Sequence, residues 1–170
     1  MSAATQVSLA EYLNTSYEPD CEYIDGVLED RNVGKKRHSK TQGLLYTWLL
    51  SRAEEHGHDV LLEQRIKIGH SRVRIPDICL VPVDDPDEVV QHAPPLWVEI
   101  LSPEDRWSRI QRKLADVLHF GVPTIWIIDP YEKEAWMATP QRGVVKIDDG
   151  VLRCEALDLE VELSQILPQD

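Results

Sequence analysis

The chain has 170 residues, a formal net charge of −12 and three cysteines, Cys21, Cys79 and Cys154, with no CxxC pair. That length suits one domain with a full hydrophobic core, expected over residues 1–170, and the cysteine spacing excludes the common zinc and dithiol patterns. No apolar run approaches the eighteen residues of a membrane span and Met1–Ala10 carries no basic cluster, so an unexported cytoplasmic protein with no membrane partner is expected.

Ser8-Leu9-Ala10-Glu11 has the form of a capping box and predicts a short helix to about Leu13. Asp25-Gly26 between Tyr23-Ile24 and Val27-Leu28 predicts a hairpin, because both turn residues tolerate positive φ. Leu44, Leu45, Trp48, Leu49 and Ala53 recur at helical spacing and predict a helix over about 36–55, with Gly57 as its stop. The β-rich runs Val60–Ile68 and Val73–Val83 around Gly69-His70-Ser71 predict a second hairpin, followed by a proline-bearing acidic loop at 84–95. Leu96–Leu101 is apolar on both faces except at Glu99, as expected of a central strand. Ser102-Pro103-Glu104 predicts a helix start with Ser102 as N-cap, and Trp107, Ile110, Leu114, Val117 and Leu118 form its inward stripe up to Gly121-Val122-Pro123. Thr124–Ile128 predicts another buried strand, closed by a turn at Asp129-Pro130. Glu134–Thr139 and Val151–Leu157 predict peripheral strands, and Leu163–Leu167 a last helical turn. Trp97, Trp107 and Trp126 have the spacing of core residues.

Asp77 and Glu99 stand out within apolar strands, where an ionised group is costly unless compensated. If their strands are neighbours, two carboxylates about 4 Å apart repel by roughly 4 kcal/mol at an effective dielectric near 20. A hard divalent ion turns that repulsion into binding and keeps positions open for a phosphate oxygen and a water. The competing reading pairs Asp77 with Arg72 or Arg74 and buries Glu99 against a core arginine. His38, near the start of the long helix, is expected to be a capping or core residue, with contact to the site as the sharper alternative.

Arg74-Ile75-Pro76-Asp77 and Glu99-Ile100-Leu101 resemble the PD-(D/E)xK nuclease pattern, except that Leu101 stands at the lysine position. A lysine on the following helix, Lys113, lies beside the apolar stripe and can run its stem along the sheet toward Glu99. Cys21-Glu22-Tyr23-Ile24-Asp25-Gly26, Pro76-Asp77, Glu99-Ile100-Leu101-Ser102-Pro103, Lys113, Gly121-Val122 and Trp126-Ile127-Ile128-Asp129-Pro130 follow in order over residues 8–140. This ordered set resembles the Uma2-like (DUF820) branch of that superfamily, in which the helix-borne lysine replaces the one on the strand. Arg109 and Val117 depart from the Asp and Tyr that often flank it.

The resemblance implies an α/β restriction-endonuclease-like fold, with a central mixed β-sheet flanked by α-helices and an additional N-terminal hairpin. It also implies that Asp77 and Glu99 bind Mg²⁺ or Mn²⁺, that Lys113 stabilises the phosphate or orients water, and that Glu22 joins the site. The expected activity is metal-dependent endonucleolytic hydrolysis of nucleic acid, DNA first, by a homodimer if both strands are cut. The alternative is a nuclease-fold protein that binds nucleic acid or a protein without cutting. Charge is distributed in favour of the middle of the chain: residues 1–30 hold seven acids and no base, residues 31–113 fourteen bases and twelve acids, residues 114–170 four bases and eleven acids. A local basic surface is therefore compatible with an acidic protein, although bases balanced by nearby acids would look the same in sequence.

Overall fold

The computed structural model describes residues 6–32 and 34–169. The Ser8 hydroxyl accepts the Glu11 N–H at 3.1 Å and starts α1 (Leu9–Leu13). Strands β1 (Cys21–Ile24) and β2 (Val27–Asp30) form the expected hairpin, with Asp25 at φ 50° and Gly26 at φ 91° in the turn. Next comes α2 (Lys36–Glu55), bounded as its periodicity predicts. The chain continues through β3 (His58–Leu62), β4 (Ile66–Lys67), β5 (Arg72–Arg74), β6 (Ile78–Pro82), β7 (Trp97–Ile100), α3 (Trp107–Phe120), β8 (Ile125–Asp129) and β9 (Glu134–Thr139). It ends with β10 (Gly143–Lys146), β11 (Val151–Cys154), β12 (Leu159–Glu162) and α4 (Leu163–Ile166).

The central sheet has the order β10-β9-β8-β7-β6-β3 and is mixed, since β7 and β8 pair in parallel and the other pairs are antiparallel. Strand alternation divides its side chains between two faces. Val98 and Ile100 of β7 with Trp126 and Ile128 of β8 meet Leu45, Leu49 and Ala53 of α2. Trp97 and Leu101 with Ile125 and Ile127 meet Ile110, Leu114 and Val117 of α3 on the other face. Glu99 shares the parity of Trp97, so the sheet directs it to the α3 side.

The two long β runs do not form one hairpin. They break at Glu63, which takes φ 51°, and at Ile75–Asp77, so that β3 pairs with β6 in the central sheet while β4 pairs with β5 in another. That second sheet has the order β2-β1-β5-β4, and it docks the N-terminal hairpin beside the segment leading to Asp77. Ser102 is not the N-cap of α3. Its N–H donates to the Asp105 carboxylate at 2.7 Å, closing a turn that delays the helix to Trp107. Trp107 is also not core: at 40% exposure it packs on Trp136, with ring centroids 5.4 Å apart. Trp97 and Trp126 are fully buried as expected. No helix among the described residues is long and apolar enough to cross a membrane.

Candidate active site

Asp77 sits where the chain enters β6, and its N–H donates to the Val98 carbonyl of β7 at 3.0 Å. This pairing brings it beside Glu99 in the middle of β7. From the opposite side, α3 presents Ile110, Lys113, Leu114 and Val117 to the sheet. Lys113 thus belongs to the apolar stripe itself instead of its margin, because the outward turn of Trp107 shifts the stripe toward it. Glu22 comes from the docked hairpin, where β1 pairs with β5.

The four side chains meet at one cleft of about 50 Å³, enough for a small number of waters. The Lys113 ammonium donates to Glu99 Oε1 at 2.7 Å, to Glu22 Oε1 at 2.8 Å and to the Ile75 carbonyl at 2.7 Å. All three of its N–H groups therefore have acceptors. Glu99 Oε1 also takes the Trp97 indole N–H at 2.6 Å, and Oε2 takes neither of these donors. Asp77 Oδ2 accepts the Ile100 N–H at 2.6 Å and lies 3.4 Å from His38 Nε2, while Oδ1 meets Arg31 at 3.2 Å. Glu22 accepts the Ile75 N–H at 2.9 Å and pairs with Arg74 at 2.7 Å.

These contacts overturn the competing partners. Asp77 faces Arg31 and His38, and Glu99 faces Lys113. Arg72 and Arg74 turn instead to Asp116 of α3, each at 2.6 Å, with Arg74 also reaching Glu22 and Glu29. His38 is a site residue as well as a buried one, and its Nδ1 has no partner among the described residues. Arg31, Arg74 and Asp116 are the members that sequence reasoning did not place. The one local signal was Arg74 itself, a charge between the apolar residues Val73 and Ile75 that required a buried acid. Several bases of the middle segment are paired with acids: Lys35 with Glu104, Arg65 with Asp20, Arg72 with Asp25 and Arg109 with Glu29.

The charges do not cancel evenly. Burial raises the Glu22 carboxyl, but Lys113 and Arg74 outweigh it and hold the group at about 2. Burial likewise opposes ionisation of Asp77, and His38, Lys113 and the Ile100 N–H still keep it below the usual range. Glu99 goes the other way: burial pushes it up to about 7, Lys113 pulls against the rise, and the Asp77 and Glu22 carboxylates reinforce it. Burial weakens the basicity of Lys113, yet Glu22, Glu99 and Asp77 raise it and keep the ammonium charged.

Two buried carboxylates, one of them pushed up by burial and by its acidic neighbours, are a donor set that fits a hard divalent cation, which takes one or two carboxylates and completes its shell with water or phosphate. Among the described residues no three His, Cys, Asp or Glu side chains form a group able to hold a metal alone. The exogenous ligands would therefore be part of any such centre.

The fold defines this chain as a restriction-endonuclease-like α/β protein. More particularly, the chain belongs to the Uma2 family, whose model, described as "Putative restriction endonuclease", matches residues 9–168. Its structure is similar to that of a protein from Anabaena variabilis ATCC 29413 described as "a putative nuclease belonging to DUF820", with a TM-score of 0.83 and 22% identity over 94% of this chain and 97% of that one. A chain of the DrdV–DNA complex gives a partial and distant likeness, with a TM-score of 0.46 and 20% identity over 67% of this chain and 10% of that one. No curated protein matches the sequence significantly.

Proposed function

We propose that this protein is a divalent-metal-dependent endonuclease that hydrolyses phosphodiester bonds in DNA. The convergence of Glu22, Asp77, Glu99 and Lys113 on one cleft carries this reading. Asp77 and Glu99 are the residues that would hold Mg²⁺ or Mn²⁺, which when bound polarises a phosphate and eases ionisation of the attacking water. The protein's own part is to keep the two carboxylates in place. The Ile100 N–H and His38 orient Asp77, and Trp97 and Lys113 orient Glu99.

Lys113 remains protonated throughout and adds a fixed positive charge where charge develops on the phosphate. Glu22, turned toward Lys113 and Arg74, acts as a positioning residue behind it. A cleft this small admits a phosphate oxygen and water but no nucleobase, so the substrate strand would run across its mouth. Cleavage of both strands would call for two copies of a single nuclease-like domain, each supplying one site.

Plasmid nicking by the purified protein in Mg²⁺ or Mn²⁺ tests the reading, with Asp77→Ala and Glu99→Ala expected to lose about 10²-fold or more. Undiminished nicking by either variant, or no nicking by the parent in both metals, refutes it.

A further inference from the structure

Asp77 is held unevenly. Its Oδ2 is pinned by the Ile100 N–H at 2.6 Å, whereas Oδ1 meets only the 3.2 Å approach of Arg31 Nη2 among the described residues. The same guanidinium reaches Glu63 through Nη1 at 3.6 Å. Both contacts are long beside the 2.7 Å Arg74–Glu22 pair, and neither is bidentate, although a guanidinium fork is built to grip a carboxylate or phosphate with two donors. Arg31 follows the end of β2 outside the core strands, with its side chain 15% exposed. It lines both the site cleft and an adjoining cavity of about 210 Å³ that reaches Ser39, Gln42 and Glu63. The side chain thus has somewhere to go without unpacking the core.

We propose that Arg31 is a displaceable counter-ion, which neutralises Asp77 in the resting protein, gives way to a divalent cation and then offers its guanidinium to a substrate phosphate at the cleft mouth. This rests on the metal-dependent reading of the site. In the resting protein Asp77 faces Arg31 and His38, and Glu99 faces Lys113. A divalent ion placed between Asp77 and Glu99 repels the cations that face these two carboxylates, Arg31 and Lys113, and the one held less firmly gives way. Lys113 has every donor committed and Arg74 is tied to three acids. Arg31, with two long contacts and a cavity beside it, is the one that moves. A guanidinium leaving a carboxylate next to the metal is then placed to take a phosphate of the same strand.

Calorimetric titration of the whole protein with Mn²⁺ at neutral pH tests this in the parent, Arg31→Ala and Arg31→Gln, with thermal melts confirming the fold. The glutamine keeps a donor toward Asp77 without the charge and carries the test if the alanine variant does not fold. Both variants are expected to bind Mn²⁺ about tenfold more tightly, because a competitor has been removed. They are also expected to bind duplex DNA in Ca²⁺ more weakly, with the salt dependence reduced by about one phosphate contact. Equal or weaker Mn²⁺ binding by a folded variant overturns the counter-ion role, and undiminished DNA binding overturns the phosphate role. No Mn²⁺ binding by the parent overturns the metal reading of the site and this proposal with it.

Discussion

Replacing Lys113 with Met keeps most of the stem while deleting a charge shared by Glu22, Glu99 and the Ile75 carbonyl at 2.7–2.8 Å. Removing one partner of a buried ion pair costs about 3–5 kcal/mol, a large part of the roughly 5–15 kcal/mol that stabilises a native protein. That cost should depend on pH with a sign set by Glu99. Its folded value of about 7, against an ordinary 4.5, means that the folded state holds the proton more tightly than the unfolded chain. Stability therefore falls as pH rises from the ordinary carboxyl range through the elevated folded value.

His38 adds to the same trend. Burial lowers its value, Asp77 more than restores it, and the stability gained is lost as pH rises through the elevated folded value. Glu22, held at about 2, contributes no slope above its ordinary 4.5. Without Lys113, Glu99 rises further, and protonation relieves most of the damage in acid. Urea denaturation of Lys113→Met should show the loss of about 3–5 kcal/mol near pH 8 and less than half of it near pH 5.5. A loss below about 1 kcal/mol near pH 8, or the same loss at both pH values, would refute the account of Lys113 as the charge that holds the glutamates.

The Arg74 network and the His38 contact lend themselves to stability measurements independent of any activity. Arg74→Met takes a buried cation away from Glu22, Glu29 and Asp116 and should cost about 3–5 kcal/mol, whereas Asp116→Asn, which keeps one acceptor, should cost about 1–2 kcal/mol by thermal denaturation; no loss in Asp116→Asn would show that Asp116 does not act through its charge. A Cβ at Gly34 would lie 2.8 Å from His38 Nδ1. Gly34→Ala should therefore displace the ring, cost about 1–3 kcal/mol and lower the His38 titration midpoint followed by NMR, and an unchanged midpoint would mean that the ring stays on Asp77.

Elements with local signals were legible in the sequence. The Asp25-Gly26 turn, the span of α2 and the strand at Glu134–Thr139 each follow from residues close together in the chain. The division of Val60–Ile68 and Val73–Val83 between two sheets was not legible, because the same apolar alternation suits either an uninterrupted hairpin or two short ladders. β10 and β12 escaped notice for a related reason: each is a four-residue strand defined by its pairing partner rather than its composition. Trp107 follows the helical period of Leu114, yet whether a first-turn tryptophan reaches a core depends on what lies opposite, and here that is Trp136.

The sequence by itself determined that Glu99 points with Trp97 and Leu101, since strand parity is local, and that Asp77 and Glu99 would need compensating charge. It also ordered the motifs that the resemblance used to bring in Lys113 and Glu22. Only the tertiary structure decided which charges compensate which acids. The β1–β5 pairing carries Glu22 to Arg74 and Lys113, the seating of α3 gives Asp116 to both strand arginines, and the chain beyond β2 lays Arg31 on Asp77. A buried charge demands a partner wherever it sits in the chain, but Coulombic attraction selects that partner by distance, and distance between remote residues exists only once the sheets and helices have packed.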